Sequence, residues 1–108
     1  MEDKYLQGET SPSAVTIEGN LYELNNGNVI RVYSMCDDPE YEYGYDYFDG
    51  HTQKLIDGGV FNLNATSETE VLDEALKWCD INPEEVAWSL IGEDIEYSDL
   101  EEMGYTGF

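Results

Sequence analysis

A chain of 108 residues, 41% hydrophobic and 13% aromatic, suits one domain with a modest core and is too aromatic for a disordered acidic tail. Its 25 Asp and Glu face four Lys and Arg, for a formal net charge of −21. That imbalance sets it against direct binding to nucleic acid or anionic membrane and points to a basic protein partner, including one that itself handles DNA or RNA.

Only Lys4, Arg31, Lys54 and Lys77 can neutralise carboxylates, so most acids must stand in water and repel one another. Residues 1–62 carry 12 acids and three bases, and residues 63–108 carry 13 acids and one base. The acidity therefore belongs to the folded surface and not to a tail. It fits a recognition surface; it equally fits solubility alone, or a saline environment. Cys36 and Cys79 lie far apart with no second pair and no neighbouring His, the pattern of free thiols in a reducing compartment. The N-terminus has neither a basic start nor an apolar run, and no stretch approaches membrane-spanning length. The expectation is a cytoplasmic protein with no membrane contact.

Residues 1–13 have no periodicity and end in turn formers, which reads as a flexible leader before a single acidic domain over 14–108. Ala14–Ile17 begins a strand that Gly19-Asn20 turns. Leu21–Leu24 and Val29–Tyr33 flank Asn25-Asn26-Gly27-Asn28, a strong hairpin signal because Asn and Gly tolerate positive φ. Cys36–Pro39 is a polar break before a strand over Glu40–Phe48. Asp49-Gly50 turns into a return strand at Gln53–Ile56, and Asp57-Gly58-Gly59 turns again before Val60–Leu63. From Ser67 the period becomes helical. Ser67-Glu68-Thr69-Glu70 is a capping box, and Val71, Leu72, Ala75, Leu76 and Cys79 share one helix face. Asn82-Pro83-Glu84-Glu85 repeats the start signal, with Val86, Ala87, Leu90 and Ile91 as a second stripe and Gly92 as the stop. A last helical turn runs from Ser98 to Met103. The predicted fold is α+β: an antiparallel meander of four or five short strands, followed by two or three helices packed on one sheet face.

Catalytic chemistry finds little support. His51 sits beside a turn, no glycine-rich phosphate loop is present, and Ser34, Ser89 and Ser98 lack a nucleophile signature. Carboxylates are too common to single out a general acid, so the chain reads as a non-enzyme needing no cofactor. Asp37, Asp38, Glu40 and Glu42 cluster, as do Glu93, Asp94 and Glu96. Neither cluster follows a calcium-loop or zinc spacing, so no metal site is assigned.

The most informative segment is Glu40–Asp49. As a strand it places Tyr41, Tyr43, Tyr45 and Tyr47 on one face and Glu40, Glu42, Gly44, Asp46 and Phe48 on the other. Carboxylates two residues apart would stand about 6.6 Å apart, close to twice the ~3.4 Å rise between phosphates along one DNA strand. Glu40, Glu42, Asp46 and Asp49, with the four tyrosines as contact area, form the expected partner-binding site. The alternative is a tyrosine face packed under the helices and an acidic face in water, with Gly44 interrupting the row at a bulge.

Tyr45-Asp46-Tyr47-Phe48-Asp49-Gly50 through Lys54-Leu55-Ile56-Asp57-Gly58-Gly59-Val60 resembles small acidic proteins of unknown function carried on mobile elements of Firmicutes and other gut bacteria. The overall design is similar to antirestriction and anti-CRISPR DNA mimics. The resemblance implies a non-enzymatic inhibitor or accessory protein that offers carboxylates in place of phosphates to a basic, nucleic-acid-handling protein. Two further readings stay open: an acidic accessory or structural domain whose contacts are apolar, and a small enzyme using a carboxylate pair.

Overall fold

The computed structural model describes Val15 and residues 17–35 and 42–108. The leader at 1–13, the expected strand start at Ala14, the Cys36–Pro39 break, Glu40 and Tyr41 lie outside the described residues. Strands β1 (Asn20–Leu24), β2 (Val29–Ser34), β3 (Glu42–Phe48) and β4 (Leu55–Asn62) form an antiparallel meander. Helix α1 (Glu68–Trp78), strand β5 (Trp88–Gly92) and helix α2 (Tyr97–Met103) follow. The described strands form one five-stranded sheet, in the order β4-β3-β2-β1-β5, and the fold is α+β as expected.

Local chemistry accounts for the turns that form. Between β1 and β2, Leu24 N–H donates to Asn28 C=O at 2.9 Å, and Gly27 N–H returns to Leu24 C=O at 2.9 Å. Gly27 takes φ +93°, which glycine adopts without steric cost. Between β3 and β4, the Asp49 carboxylate accepts from His51 N–H at 2.7 Å and Thr52 N–H at 2.9 Å, fixing a side-chain-closed turn.

The third expected turn does not exist: Asp57-Gly58-Gly59 runs inside β4, paired with Tyr47, Asp46 and Tyr45. These glycines serve their cross-strand neighbours and not a turn. A Cβ on Gly58 would stand 3.2 Å from the Tyr45 carbonyl oxygen, and Gly59 lies against the Tyr45 ring. Nor does the Ala14–Ile17 expectation yield a strand at Ile17. That residue instead bonds to the end of β2, its C=O accepting from Ser34 N–H at 2.8 Å and its N–H donating to Ser34 Oγ at 2.9 Å.

Helix α1 forms where the capping box predicts. Ser67 Oγ accepts the Glu70 N–H at 3.3 Å, while the Glu70 carboxylate reaches back to the N–H and hydroxyl of Thr66. The second expected helix is corrected. Asn82 does cap a turn, its carboxamide oxygen accepting from Glu84 N–H at 3.0 Å, but the chain then extends and residues 88–92 form β5. The sheet decides this. Glu23 and Asn25 direct their backbone groups away from β2, and β5 satisfies them, with Ser89 opposite Glu23 and Asn25 N–H donating to Ala87 C=O at 2.8 Å. Pairing a hydrophobic segment with a strand edge overrides its helical start signal.

Both sheet faces are covered, so the expectation of helices on one face is also corrected. Val71, Leu72, Ala75 and Leu76 of α1 pack on Tyr22, Leu24, Ile30, Val32, Tyr43, Tyr45, Tyr47 and Phe61. On the other face, Leu100 of α2 and Tyr105 pack on Leu21, Val29 and Phe48. Gly104 ends α2 at φ +101° and turns the chain so that Thr106 bridges to Lys54 beside β4.

Gly44 marks no bulge, because pairing runs through it in register to Tyr33 and Val60. The Tyr33 ring fills the missing side chain, and a Cβ on Gly44 would overlap its hydroxyl end. Gly44→Ala should therefore displace Tyr33 and lower stability by about 1–3 kcal/mol, read as a lower urea midpoint. An unchanged midpoint would contradict this packing.

Candidate functional site

The sheet face under α2 carries the most unusual chemistry in the molecule. Arg31, on β2, is only 7% exposed, and so is Asp46 opposite it on β3. Arg31 Nη1 meets Asp46 Oδ2 at 3.0 Å, and Arg31 Nε donates to the Ile95 carbonyl at 2.7 Å. The guanidinium carbon lies 4.7 Å from the Tyr33 ring centroid and 4.6 Å from that of Tyr97, so two aromatic faces clamp it by cation–π attraction. Gly19 permits the close approach. It has φ +82°, and a Cβ there would strike the Ile95 carbonyl and crowd the guanidinium. Its own C=O accepts the Ile95 N–H at 2.9 Å.

This clamp determines where the segment after β5 sits. Ile95 is tied to Gly19 and Arg31, and Tyr97 lies over Arg31. Glu96 begins α2 with its N–H donating to the Asp99 carboxylate at 2.9 Å. Six acids and no base occur between Glu93 and Glu102, and of these Glu93, Asp94, Glu96, Glu101 and Glu102 are exposed. A shallow depression of about 310 Å³ beside the clamp is bordered by Glu18, Asp94 and Glu96, with Arg31 and Tyr33 at its floor. Exposed Glu68 and Glu70 extend negative charge to the α1 side, but no segment matches residues 93–102 in density.

The sequence-predicted site fares differently residue by residue. Tyr43, Tyr45 and Tyr47 are buried under α1, and their hydroxyls are held at its margin: Tyr43 Oη accepts from Val15 N–H at 3.1 Å and Tyr47 Oη from Asn28 Nδ2 at 2.7 Å. Burial pushes the Tyr45 hydroxyl up to about 12, with the Asp57 carboxylate adding to the effect. The tyrosines are core residues with polar tips. Asp46 leaves the expected acidic row because it is paired inside the protein. Glu42 is half-buried, and Asp49 is engaged in its turn. Glu40 and Tyr41 lie outside the described residues. An exposed row of carboxylates at phosphate pitch along β3 is therefore not what the strand presents.

Catalytic and metal chemistry gain no support from this geometry. His51 is exposed in the β3–β4 turn. Cys79 is half-buried at the end of α1, where burial, with Asp57 and Asp80 adding, pushes its thiol up to about 12, away from nucleophilic character at neutral pH. Among the described residues no group of three His, Cys, Asp or Glu is placed to hold a metal ion, and no helix is long and apolar enough to cross a membrane. Comparison with known proteins returned no match among family models, curated proteins or solved structures.

Sequence reasoning missed the Arg31 clamp and the role of residues 93–102 as the densest acidic surface. A signal was present for the first: Arg31 is the single charge in Val-Ile-Arg-Val-Tyr and alternates to the face away from Ile30 and Val32. Removing it should be costly, since Asp46 would be left buried without its counter-charge, with only the Tyr97 hydroxyl to support it. Arg31→Met is expected to lose about 3–5 kcal/mol near neutral pH. Burial already holds the Asp46 carboxyl above the ordinary aspartate value, with Arg31 opposing that shift. A raised folded-state pKa favours the fold at low pH, and the advantage fades as pH rises through it. The deficit of Arg31→Met relative to the parent should thus shrink as pH falls toward the aspartate range, measured by urea denaturation. A deficit independent of pH would contradict the pairing.

Proposed function

We propose that this chain is a non-enzymatic acidic binding protein that presents carboxylates to a basic, nucleic-acid-handling protein and competes with nucleic acid for it. The observation that carries this reading is the Glu93–Glu102 segment. Its exposed acids are anchored to the sheet through Ile95, Tyr97 and Leu100, so a partner meets charges already in place and the ordering cost of binding is reduced. Arg31 does not offset them, because its charge is directed inward to Asp46. Among the described residues, Lys54 and Lys77 are the exposed Lys or Arg side chains. Fixed charges of one sign speed association with a basic partner and make it salt-dependent.

The recognition surface differs from the β3 row suggested by alternation. Reversing Asp46 to Lys would break an internal ion pair, and so would not report on binding. Glu93, Asp94 and Glu96 are the residues to neutralise.

A second reading keeps the charge for solubility and makes the contacts apolar. It is favoured by Trp88, Leu90 and Ile91, which are 38%, 44% and 46% exposed. Ionic strength separates the two. On the first reading, proteins retained by the immobilised chain are nucleic-acid-binding, are displaced by duplex DNA, and are released between about 0.1 and 0.5 M salt as screening shortens the reach of the charges. Glu93→Gln, Asp94→Asn and Glu96→Gln together should weaken retention. Retention that ignores salt, DNA and the triple substitution would overturn the reading in favour of apolar contact.

A further inference from the structure

We infer that the outer edge of β5 is a docking strand for an extended, basic segment of the partner, which adds to the sheet as a sixth strand. This rests on the binding function proposed above and names the chemistry of its partner.

Asn25 N–H donates to Ala87 C=O, and the β1–β5 register pairs Glu23 with Ser89 and Tyr22 with Leu90. Hydrogen-bonded and non-hydrogen-bonded pairs alternate along an antiparallel ladder. Ala87 and Ser89 therefore face β1, and the N–H and C=O groups of Trp88 and Leu90 point away from the sheet. Among the described residues β5 is the last strand on that side, and none of them bonds to it there. Sheet edges are normally protected by charge, proline, a bulge or a covering segment. Trp88-Ser89-Leu90-Ile91-Gly92 contains neither charge nor proline, and its register shift falls between Leu90 and Gly92, beyond the outward-facing groups of Trp88 and Leu90.

The other edge is protected over its first residues. β4 carries Asp57 as its third residue, and its start is covered by the C-terminal segment, with Leu55 N–H donating to Thr106 C=O at 2.8 Å and Thr106 N–H to Gln53 C=O at 2.9 Å. Among the described residues β5 has no such cover along its length.

Charge identifies the occupant. Exposed Glu84 and Glu85 precede β5, Glu93 and Asp94 follow it, and Glu23 lies beside it. A shallow pocket of about 190 Å³ joins the strand start to that carboxylate, lined by Glu23, Asn25, Ala87 and Trp88. A second copy of this chain would bring another −21 against these acids. The flanking carboxylates thus disfavour self-pairing while accepting a strand that carries Lys or Arg. Backbone bonds would supply affinity and the charges selectivity, as in strand addition generally.

The test uses the full chain and a short synthetic peptide of alternating Lys and Val, with Lys-Gly and Thr-Val peptides of equal length as controls. Amide exchange followed by NMR should show slowed exchange at Trp88 and Leu90 with the Lys-Val peptide, and little change with either control. Leu90→Pro removes one outward N–H and no ladder bond. It should weaken Lys-Val binding at least about tenfold, by loss of that bond and the block to pairing, while the β1 amides stay protected. If the variant fails to fold, exchange in the unsubstituted chain decides alone.

Trp88 and Leu90 amides already protected without peptide would overturn the inference. Concentration-dependent protection would identify a second copy as the occupant, and concentration-independent protection the chain's own residues 1–14. Binding that survives Leu90→Pro but is lost on neutralising Glu93, Asp94 and Glu96 would also overturn it, while leaving the carboxylate reading intact. Loss of neither would remove both.

Discussion

The inward pairing of Arg31 with Asp46 organises much of what is specific to this protein. A buried ion pair is held only when the low-dielectric attraction and additional hydrogen bonds offset the desolvation of both charges. Here the Ile95 carbonyl and the rings of Tyr33 and Tyr97 provide the additional partners. Each comes from a different part of the chain. Tyr33 lies on β2 itself, Ile95 between β5 and α2, and Tyr97 at the start of α2, so one side chain ties the acidic segment to the sheet. Hydrophobic contacts from Leu100 and Tyr105 complete the attachment. Gly44 and Gly19 are part of the same device: the first accommodates the Tyr33 ring and the second lets Ile95 close over the guanidinium.

The arrangement has an electrostatic consequence. A chain with four Lys and Arg directs one of them inward, where it compensates a single aspartate. Exposed ion pairs contribute at most about 1 kcal/mol each, and the three lysines are too few to offset the remaining acids. Stability must come from the two cores, in which truncating a buried aromatic costs about 3–5 kcal/mol. Tyr43, Tyr45, Tyr47, Phe48 and Phe61 are all buried. The tyrosines that look like interface residues in the sequence are thus what permits so acidic an exterior. Their hydroxyls end among Asn28, Asp57 and the Val15 amide, which explains why tyrosine serves at these positions.

Much of the fold was legible because its signals are local. The Asn25–Asn28 hairpin, the Asp49 turn, α1 with its Ser67 cap, and α2 ending at Gly104 each depend on residues within a few positions. What was not legible depends on distant strands. Asn82-Pro83-Glu84-Glu85 signals a helix start and forms only a turn, since the edge of β1 claims residues 88–92. Gly58-Gly59 resembles a turn until Tyr45 and Asp46 stand opposite. Alternation along β3 is legible in the sequence, and Tyr43, Tyr45 and Tyr47 do occupy one face. Which row meets solvent was not decidable from β3 alone, because it required knowing that α1 and α2 cover opposite faces and that Arg31 stands across from Asp46. The uncharged run Trp88–Gly92 gave no signal of its strand pairing, because longer uncharged runs such as Gly58–Ser67 occur elsewhere in the chain.

In this fold the surface carboxylates stay uncompensated while the core alone holds the structure together. The thermal midpoint of the isolated protein, followed as sodium chloride rises from about 0.02 to 0.3 M, measures this directly, because screening over that range weakens repulsion between exposed charges while leaving buried pairs largely untouched. The midpoint should rise steadily with salt. A midpoint that stays flat or falls would mean that the exterior charges are balanced by attractive pairs, and that the negative surface offered to a basic partner does not exist.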